Sequence, residues 1–129
     1  MFNSLWFDSL NRPFLAPPSW IFSPMWTILY LMMFAALLVF VFKKTDIQKT
    51  NGYVYFALQL ILNLIWSLIF FGLHNIALAL IVLLLLDIFV FLTIKKFYLV
   101  SKLAGWLLVP YFVWILFATY LNVGYFVLN

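Results

Sequence analysis

The sequence contains no cysteine and very little charge: only 8% of its 129 residues are Asp, Glu, Lys or Arg. Without thiols, the chain can form neither disulfides nor thiolate metal sites. Domains that fold in water carry roughly 25% charged residues, so this chain has too few polar side chains to cover a globule. Hydrophobic residues instead make up 69% of the chain. This composition indicates a protein whose solvent is lipid.

The few charged residues separate four long apolar stretches, at residues 20–42, 53–73, 76–94 and 103–128. Each has about the 20 residues that a helix needs to cross a bilayer. Only helices and closed barrels satisfy all their backbone hydrogen bonds within lipid. The sequence therefore predicts an all-α, polytopic transmembrane helix bundle with four spans. We expect a single integral membrane domain over residues 1–129, in which residues 1–19 form a proline-rich loop outside the membrane.

The cations of the chain predict its orientation. Four spans place the loops 43–52 and 95–102 on one side of the membrane, and these loops hold six lysines. The other side holds only Arg12, together with both termini and the turn at residues 74–75. Because loops rich in Lys and Arg stay in the cytoplasm, we expect the lysine loops to be cytoplasmic and both termini to face outward.

Some residues within the spans are polar and need a separate explanation. Gln59, Asn63 and Trp66 follow one another at helical spacing and share one face. Asn63 is expected either to hydrogen-bond to a neighbouring helix or to line a pocket, and the sequence leaves both open. For Asp87, at mid-span, a neutral and hydrogen-bonded carboxyl group is favoured over a proton relay. A lone His74 in a turn gives no metal site.

The last span carries a stripe of residues at successive steps of four, namely Pro110, Trp114, Ala118 and Asn122. Trp114 lies roughly 16 Å from the start of its span at 1.5 Å per residue, too deep for the interfacial belt where tryptophans usually sit. Its indole N–H therefore needs a partner from protein or ligand. The sequence contains no nucleophile–base pair, paired carboxylates or phosphate-binding glycine loop, which disfavours hydrolysis and phosphoryl transfer.

Three stretches carry specific motifs, namely W-x-F-x-P-x-W-x-x-L-Y within residues 5–30, N-x-x-W-S-x-x-F-F-G within 58–74 and P-Y-x-x-W-x-x-F-A-T-x-L-N within 101–122. With these motifs, the chain resembles the TspO/MBR family of translocator proteins and tryptophan-rich sensory proteins. The resemblance implies a helix bundle with an apolar pocket under the proline-rich loop, and a porphyrin or haem as ligand with no cofactor required. It assigns ligand binding to five residues, namely Trp20, Trp26, Asn63, Trp114 and Ala118.

The resemblance also leaves functional alternatives open. The leading interpretation is a tetrapyrrole-binding translocator or sensory protein. Alternatives are light-dependent degradation of porphyrin, with Trp26 and Trp114 as the catalytic residues, transport of porphyrin or lipid ligands, and a truncated fragment that binds nothing. Besides the porphyrin, the expected partners are membrane lipid and, as an open question, a second copy in a homodimer. The expected location is a bacterial cell (inner) membrane.

Two features depart from the family pattern. Family members usually carry five helices, whereas the helix that normally precedes the proline-rich loop is not found ahead of it here. Its absence is expected to open one wall of the pocket. Tyr125 is followed by no Lys or Arg, so the short pattern associated with sterol binding fails.

Overall fold

Four long apolar helices make up most of the described chain. The structure, a computed structural model, describes residues 21–129, apart from the side chains of residues 22 and 23. Each helix is long and apolar enough to cross a membrane, and residues 21–129 contain no strand. The predicted all-α bundle with four spans is therefore confirmed. The helices are α1 (Phe22–Phe42), α2 (Thr50–Ser67, continued by a π-helical turn, Leu68–Gly72), α3 (Ile76–Val100) and α4 (Lys102–Leu128).

The connection between α3 and α4 is shorter than the expected loop 95–102. Helix α3 continues through Lys95 and Lys96 to Val100, and only Ser101 separates it from α4. The backbone of Ser101 is extended, and its hydroxyl accepts a hydrogen bond from the Ala104 N–H at 3.4 Å. The difference has a simple reason: lysines mark where the apolar span ends, but they do not end a helix. The helix ends where a serine caps the next one.

The helices pack in the order α1, α4, α3, α2. Helix α4 packs along both α1 and α3, and α3 also packs along α2, whereas α1 and α2 meet mainly through side chains. Buried positions alternate in steps of three and four along each helix, the spacing of left-handed helix pairs. On α1 these positions are Trp26, Leu29, Met33, Ala36 and Phe40.

Polar side chains of the spans point into the bundle, and large apolar ones point outward. Five polar residues are at most 6% exposed, whereas Leu31 and Leu68 are each 66% exposed. Lipid solvates leucine as well as the protein interior does, but it offers no hydrogen-bond partner to an amide or hydroxyl. Polar groups therefore decide which face of each span turns inward. The five residues are Gln59, Asn63, Ser67, Thr93 and Asn122.

Asp87 on α3 meets Thr119 on α4 within the spanning part of the bundle. The Thr119 hydroxyl oxygen lies 2.7 Å from Asp87 Oδ2 and 3.0 Å from the carbonyl oxygen of Ile115. Because the hydroxyl carries one proton, both contacts are satisfied when it donates to Ile115 and accepts from a protonated Asp87. Asp87 Oδ1 is buried without a hydrogen-bond partner among residues 21–129. That costs far less for a neutral acid than for a carboxylate, so we assign Asp87 as neutral.

Gly105 allows a close approach of α3 and α4 next to their connection. A Cβ at this position would lie 2.8 Å from Tyr98 Cβ and 3.0 Å from Tyr98 Cα. These are backbone-anchored atoms, which cannot move away without shifting α3. Gly72, at the end of the π-helical turn, is the opposite case: apart from its chain neighbours and the backbone of its own helix, no heavy atom of residues 21–129 would lie within 4 Å of a Cβ there.

We expect Gly105→Ala to destabilise the bundle and Gly72→Ala to leave it unchanged or slightly more stable. Overpacking at Gly105 costs about 1–3 kcal/mol, which outweighs the roughly 1 kcal/mol that alanine gains over glycine within a helix. Thermal unfolding of both variants in the same detergent measures the difference. Equal melting temperatures for the two variants would contradict the close approach.

We expect Asp87→Asn to be tolerated and Thr119→Val to be destabilising. The asparagine amide is neutral and donates to the Thr119 hydroxyl as the acid does, whereas valine removes the hydroxyl and costs about 1 kcal/mol. Thermal unfolding at neutral pH tests the pair. A marked stabilisation by Asp87→Asn would show that the wild-type group is charged, since the amide would then remove a buried charge.

Candidate ligand site

Trp26 stands at the centre of an aromatic cluster, which we define as Trp26, Tyr30, Trp66, Tyr111 and Trp114. The Trp26 ring is 4% exposed. Its centroid lies 5.8 Å from that of Tyr30, 6.2 Å from Trp66, 6.4 Å from Trp114 and 6.5 Å from Tyr111. The Trp114 and Tyr111 rings meet it edge-on, an arrangement that aromatic pairs favour. Three helices, α1, α2 and α4, thus converge on one indole.

A chain of hydrogen bonds runs along one side of this cluster. The Tyr30 hydroxyl donates to Asn63 Oδ1, and Asn63 Nδ2 donates to the Tyr111 hydroxyl at 2.9 Å. The Tyr111 hydroxyl then donates to Gln59 Oε1 at 2.9 Å, and Gln59 Nε2 reaches the sulfur of Met33 at 3.5 Å. Each hydroxyl or amide group of this Asn63 chain donates one hydrogen bond to the next group, so the chain links α1, α2 and α4.

A second set of hydrogen bonds fixes Trp66. Its indole Nε1–H donates to Asn122 Oδ1 at 3.0 Å, and Asn122 Nδ2 donates to the carbonyl oxygen of Ile76 at 3.1 Å. A single side chain of α4 thereby joins α2 to the first residue of α3. Because buried indole N–H groups need a partner, Asn122 determines the orientation of the Trp66 ring within the aromatic cluster.

The π-helical turn at the end of α2 packs two phenylalanines against Trp66. The Phe70 ring is stacked at 5.5 Å and the Phe71 ring lies edge-on at 6.1 Å from the Trp66 ring. In a regular α-helix, a residue five positions along has rotated away from the starting face. The wider turn returns Phe71 to that face, and π-helical turns of this kind are frequent at functional sites.

The structure brings together most of the residues that the resemblance assigns to the ligand. Trp26 and Trp114 are in direct ring contact, and Asn63 reaches the same cluster through Tyr30 and Tyr111. Ala118 lies one turn beyond Trp114 on α4 and is buried. Trp20 lies outside the described residues. The Asn63 amide makes interhelical hydrogen bonds, one of the two roles left open for it.

Sequence reasoning missed two tyrosines of the cluster and gave no role to Gln59. Tyr30 stands four residues after Trp26, and Tyr111 stands three before Trp114, so each shares a helix face with a predicted site residue. A search for hydroxyl-bearing side chains at these spacings would have found both. Gln59 was placed on the face of Asn63, but its partner Tyr111 is 52 residues away.

The arrangement combines aromatic rings that pack against one another with a few hydrogen-bonding groups. No carboxylate, imidazole or amine belongs to the aromatic cluster or to either set of hydrogen bonds. The titratable side chains of the cluster and of the two sets of hydrogen bonds are the tyrosines Tyr30 and Tyr111. A cavity of about 410 Å³ lies at the α2–α3 turn, and its lining includes His74, Ile76 and Phe126 but none of the predicted site residues.

Comparison with known proteins gives matches over nearly the whole chain. The model of the TspO/MBR family matches residues 1–128. A tryptophan-rich protein TspO from Chlorobaculum tepidum is 44% identical over 129 residues, which cover 98% of this chain and 80% of that protein. A protein of the same name from Archaeoglobus fulgidus is 40% identical over 124 residues, or 96% of this chain and 80% of that protein.

A human protein named translocator protein is also similar. It is 37% identical over 121 residues, which cover 91% of this chain and 70% of the human protein. Together with the four membrane-spanning helices, these matches identify an integral membrane protein. The chain belongs to the TspO/MBR family.

Proposed function

We propose that the chain binds a tetrapyrrole, a porphyrin or haem, within the membrane and acts as a translocator or sensory protein. The observation that carries this proposal is the contact between Trp26 and Trp114, whose rings lie 6.4 Å apart on different helices. A porphyrin is a flat apolar ring with carboxylates at its edge. Indole faces are suited to the ring, and the Asn63 amide and the tyrosine hydroxyls are suited to the polar edge.

The ligand-binding residues of the proposal are Trp26, Asn63, Trp114 and Ala118, together with Trp20 on the grounds of sequence alone. Ala118 lies one turn beyond Trp114 on α4, and the resemblance assigns it as the small residue beside the ligand. Binding requires no cofactor. The names of the relatives, tryptophan-rich protein and translocator protein, agree with a membrane protein of this kind.

The proposed location is a bacterial cell (inner) membrane, with the lysines cytoplasmic and both termini outward. The argument is the distribution of cations, since six lysines lie at one end of the bundle and Arg12 is the only cation assigned to the other side. In this orientation the aromatic cluster lies nearer the outer side, because Trp26 is only five residues into α1. The ligand would then enter from that side.

Light-dependent degradation of the porphyrin is the second candidate. The observation in its favour is the density of oxidisable rings, because four aromatic rings lie within 6.5 Å of Trp26. In this reaction, dioxygen would oxidise the excited porphyrin and supply the oxygen atoms of the opened ring, and the tryptophans would take part as redox-active side chains with no net change of their own. Trp26 and Trp114 would then be the catalytic residues.

We expect Trp114→Phe to weaken protoporphyrin binding about threefold to tenfold, the range that the loss of one aromatic contact gives. Trp106→Phe is the matched control, because Trp106 is on the same helix but is 63% exposed. Titration of the intrinsic fluorescence with protoporphyrin gives the dissociation constants, which do not depend on how many tryptophans remain. Equal constants for wild type and both variants would reject the site.

Illumination separates binding from degradation. If the protein is an enzyme, we expect aerobic illumination of its porphyrin complex to produce a new bilin-like absorbance band that is absent in the dark and without oxygen. Trp26→Phe should slow the appearance of this band more than it weakens binding. An unchanged porphyrin spectrum after illumination would leave binding as the function and reject degradation.

A further inference from the structure

One end of the bundle carries a strong excess of positive charge. We call this the lysine end and define it by Lys43, Lys44, Lys49, Lys95, Lys96 and Lys102. Ring contacts show that the helix ends that carry these residues meet: Phe40 of α1 stacks on Phe97 of α3 at 4.1 Å and lies edge-on to Tyr53 of α2 at 5.2 Å. Asp46 is the only acidic residue in the same loops, so the charge is not balanced locally.

Two of the six lysines have a structural role within the protein. Lys49 Nζ donates to the carbonyl oxygens of Val41 and Lys43, at 2.9 and 2.7 Å, and thereby caps the C-terminal end of α1. This ammonium group also lies 5.7 Å from the centre of the Phe40 ring. Lys95 lies over the Phe91 ring at 5.8 Å. The capping role explains Lys49 without any external partner.

The other four lysines have no such role. Within residues 21–129 their ammonium groups make no hydrogen bond, ion pair or ring contact, and they are exposed or partly exposed. Lysine ammonium groups are strongly hydrated and are readily left in water, so their exposure alone indicates nothing. The number of lysines at one end does indicate a partner. Cations gathered at one end of the bundle repel one another, and nearby anions would relieve this repulsion. The four are Lys43, Lys44, Lys96 and Lys102.

Exposed aromatic side chains place these lysines at the depth of lipid headgroups. Tyr98 is 44% exposed and Trp106 is 63% exposed, and each lies within about one turn of a lysine of the lysine end. Tyr and Trp side chains with outward exposure are typical of the membrane–water interface. The four free ammonium groups therefore extend from the interface, where the phosphates of lipids are concentrated.

We propose that the lysine end binds the headgroups of anionic phospholipids. The shared chemistry is recognition of phosphate by lysine, and each lysine near an anionic surface contributes about a fivefold preference. Soluble phosphates share this chemistry but are not held at this depth, whereas lipid phosphates are. The proposal therefore commits to lipid, and it is independent of the ligand in the aromatic cluster.

The test compares two lipids around the same protein. Wild-type protein in phosphatidylcholine vesicles is given trace spin-labelled phosphatidylglycerol or spin-labelled phosphatidylcholine, and electron spin resonance measures the fraction of each that is immobilised. We expect phosphatidylglycerol to associate at least about fivefold more strongly at low salt and to lose this preference as salt screens the charges. Equal association of the two lipids at low salt would overturn the proposal.

Matched variants locate the effect. We expect the fourfold variant Lys43→Gln, Lys44→Gln, Lys96→Gln and Lys102→Gln to lose most of the preference, and the same four positions changed to Arg to keep it. Lys49→Gln removes one charge of the same end, but its ammonium is already bound to two carbonyl oxygens. It should lower the melting temperature and keep most of the preference. An unchanged preference in the fourfold Gln variant would contradict the assignment.

A final comparison distinguishes lipid from soluble phosphate. Inorganic phosphate is added at the same ionic strength as sodium chloride, and the immobilised fraction of phosphatidylglycerol is measured again. The proposal expects the two salts to act alike, because both only screen the charges. Displacement by phosphate well beyond that by chloride would assign the lysine end to a soluble phosphate and overturn the commitment to lipid.

Discussion

The amide of Asn63 is the group on which the arrangement of this bundle depends. It lies in the middle of a membrane span and is 1% exposed, and the surrounding lipid offers it no hydrogen-bond partner. Its oxygen accepts from Tyr30 on α1, and its nitrogen donates to Tyr111 on α4. Both bonds exist only when the three helices stand in one register. That register in turn places Trp26 against Trp66, Tyr111 and Trp114.

Apolar packing alone would not select this arrangement. In water, the hydrophobic effect decides which face of a helix turns inward, but lipid makes leucine equally stable on either face. The spans are apolar nearly all round, so the few residues that are not large and apolar determine how the helices pack. These are the amides of Gln59, Asn63 and Asn122 and the close approach at Gly105. They account for a bundle in which large leucines face outward while amides are buried.

The sequence predicted the fold class and the number of spans because both follow from composition and length. It also singled out Asn63 and Trp114, since an amide and an indole at mid-depth need partners. It did not find the partners. Tyr30 and Tyr111 are 33 and 48 residues from Asn63, and a tyrosine in an apolar span shows no sign of which amide it will meet. The sequence also predicted a loop at 95–102, but α3 continues through Lys95 and Lys96 to Val100, because a loss of hydropathy does not end a helix.

The groups that hold the helices together are also those proposed to meet a ligand, and this has a physical consequence. Asn63 Oδ1 and one N–H of Asn63 Nδ2 are already bonded within the protein, so a ligand that takes over either of these bonds displaces Tyr30 or Tyr111. Tyr30 is the easier to release. It is half-buried and lies on α1, which meets α2 mainly through side chains, whereas Tyr111 is fully buried on α4, which packs along both α1 and α3. Exchange at Tyr30 would loosen α1 from α2 and leave the rest of the bundle intact. In that case, occupancy of the proposed site would be coupled to the position of one helix, and a ligand shifts a conformational equilibrium only through such a difference in contacts.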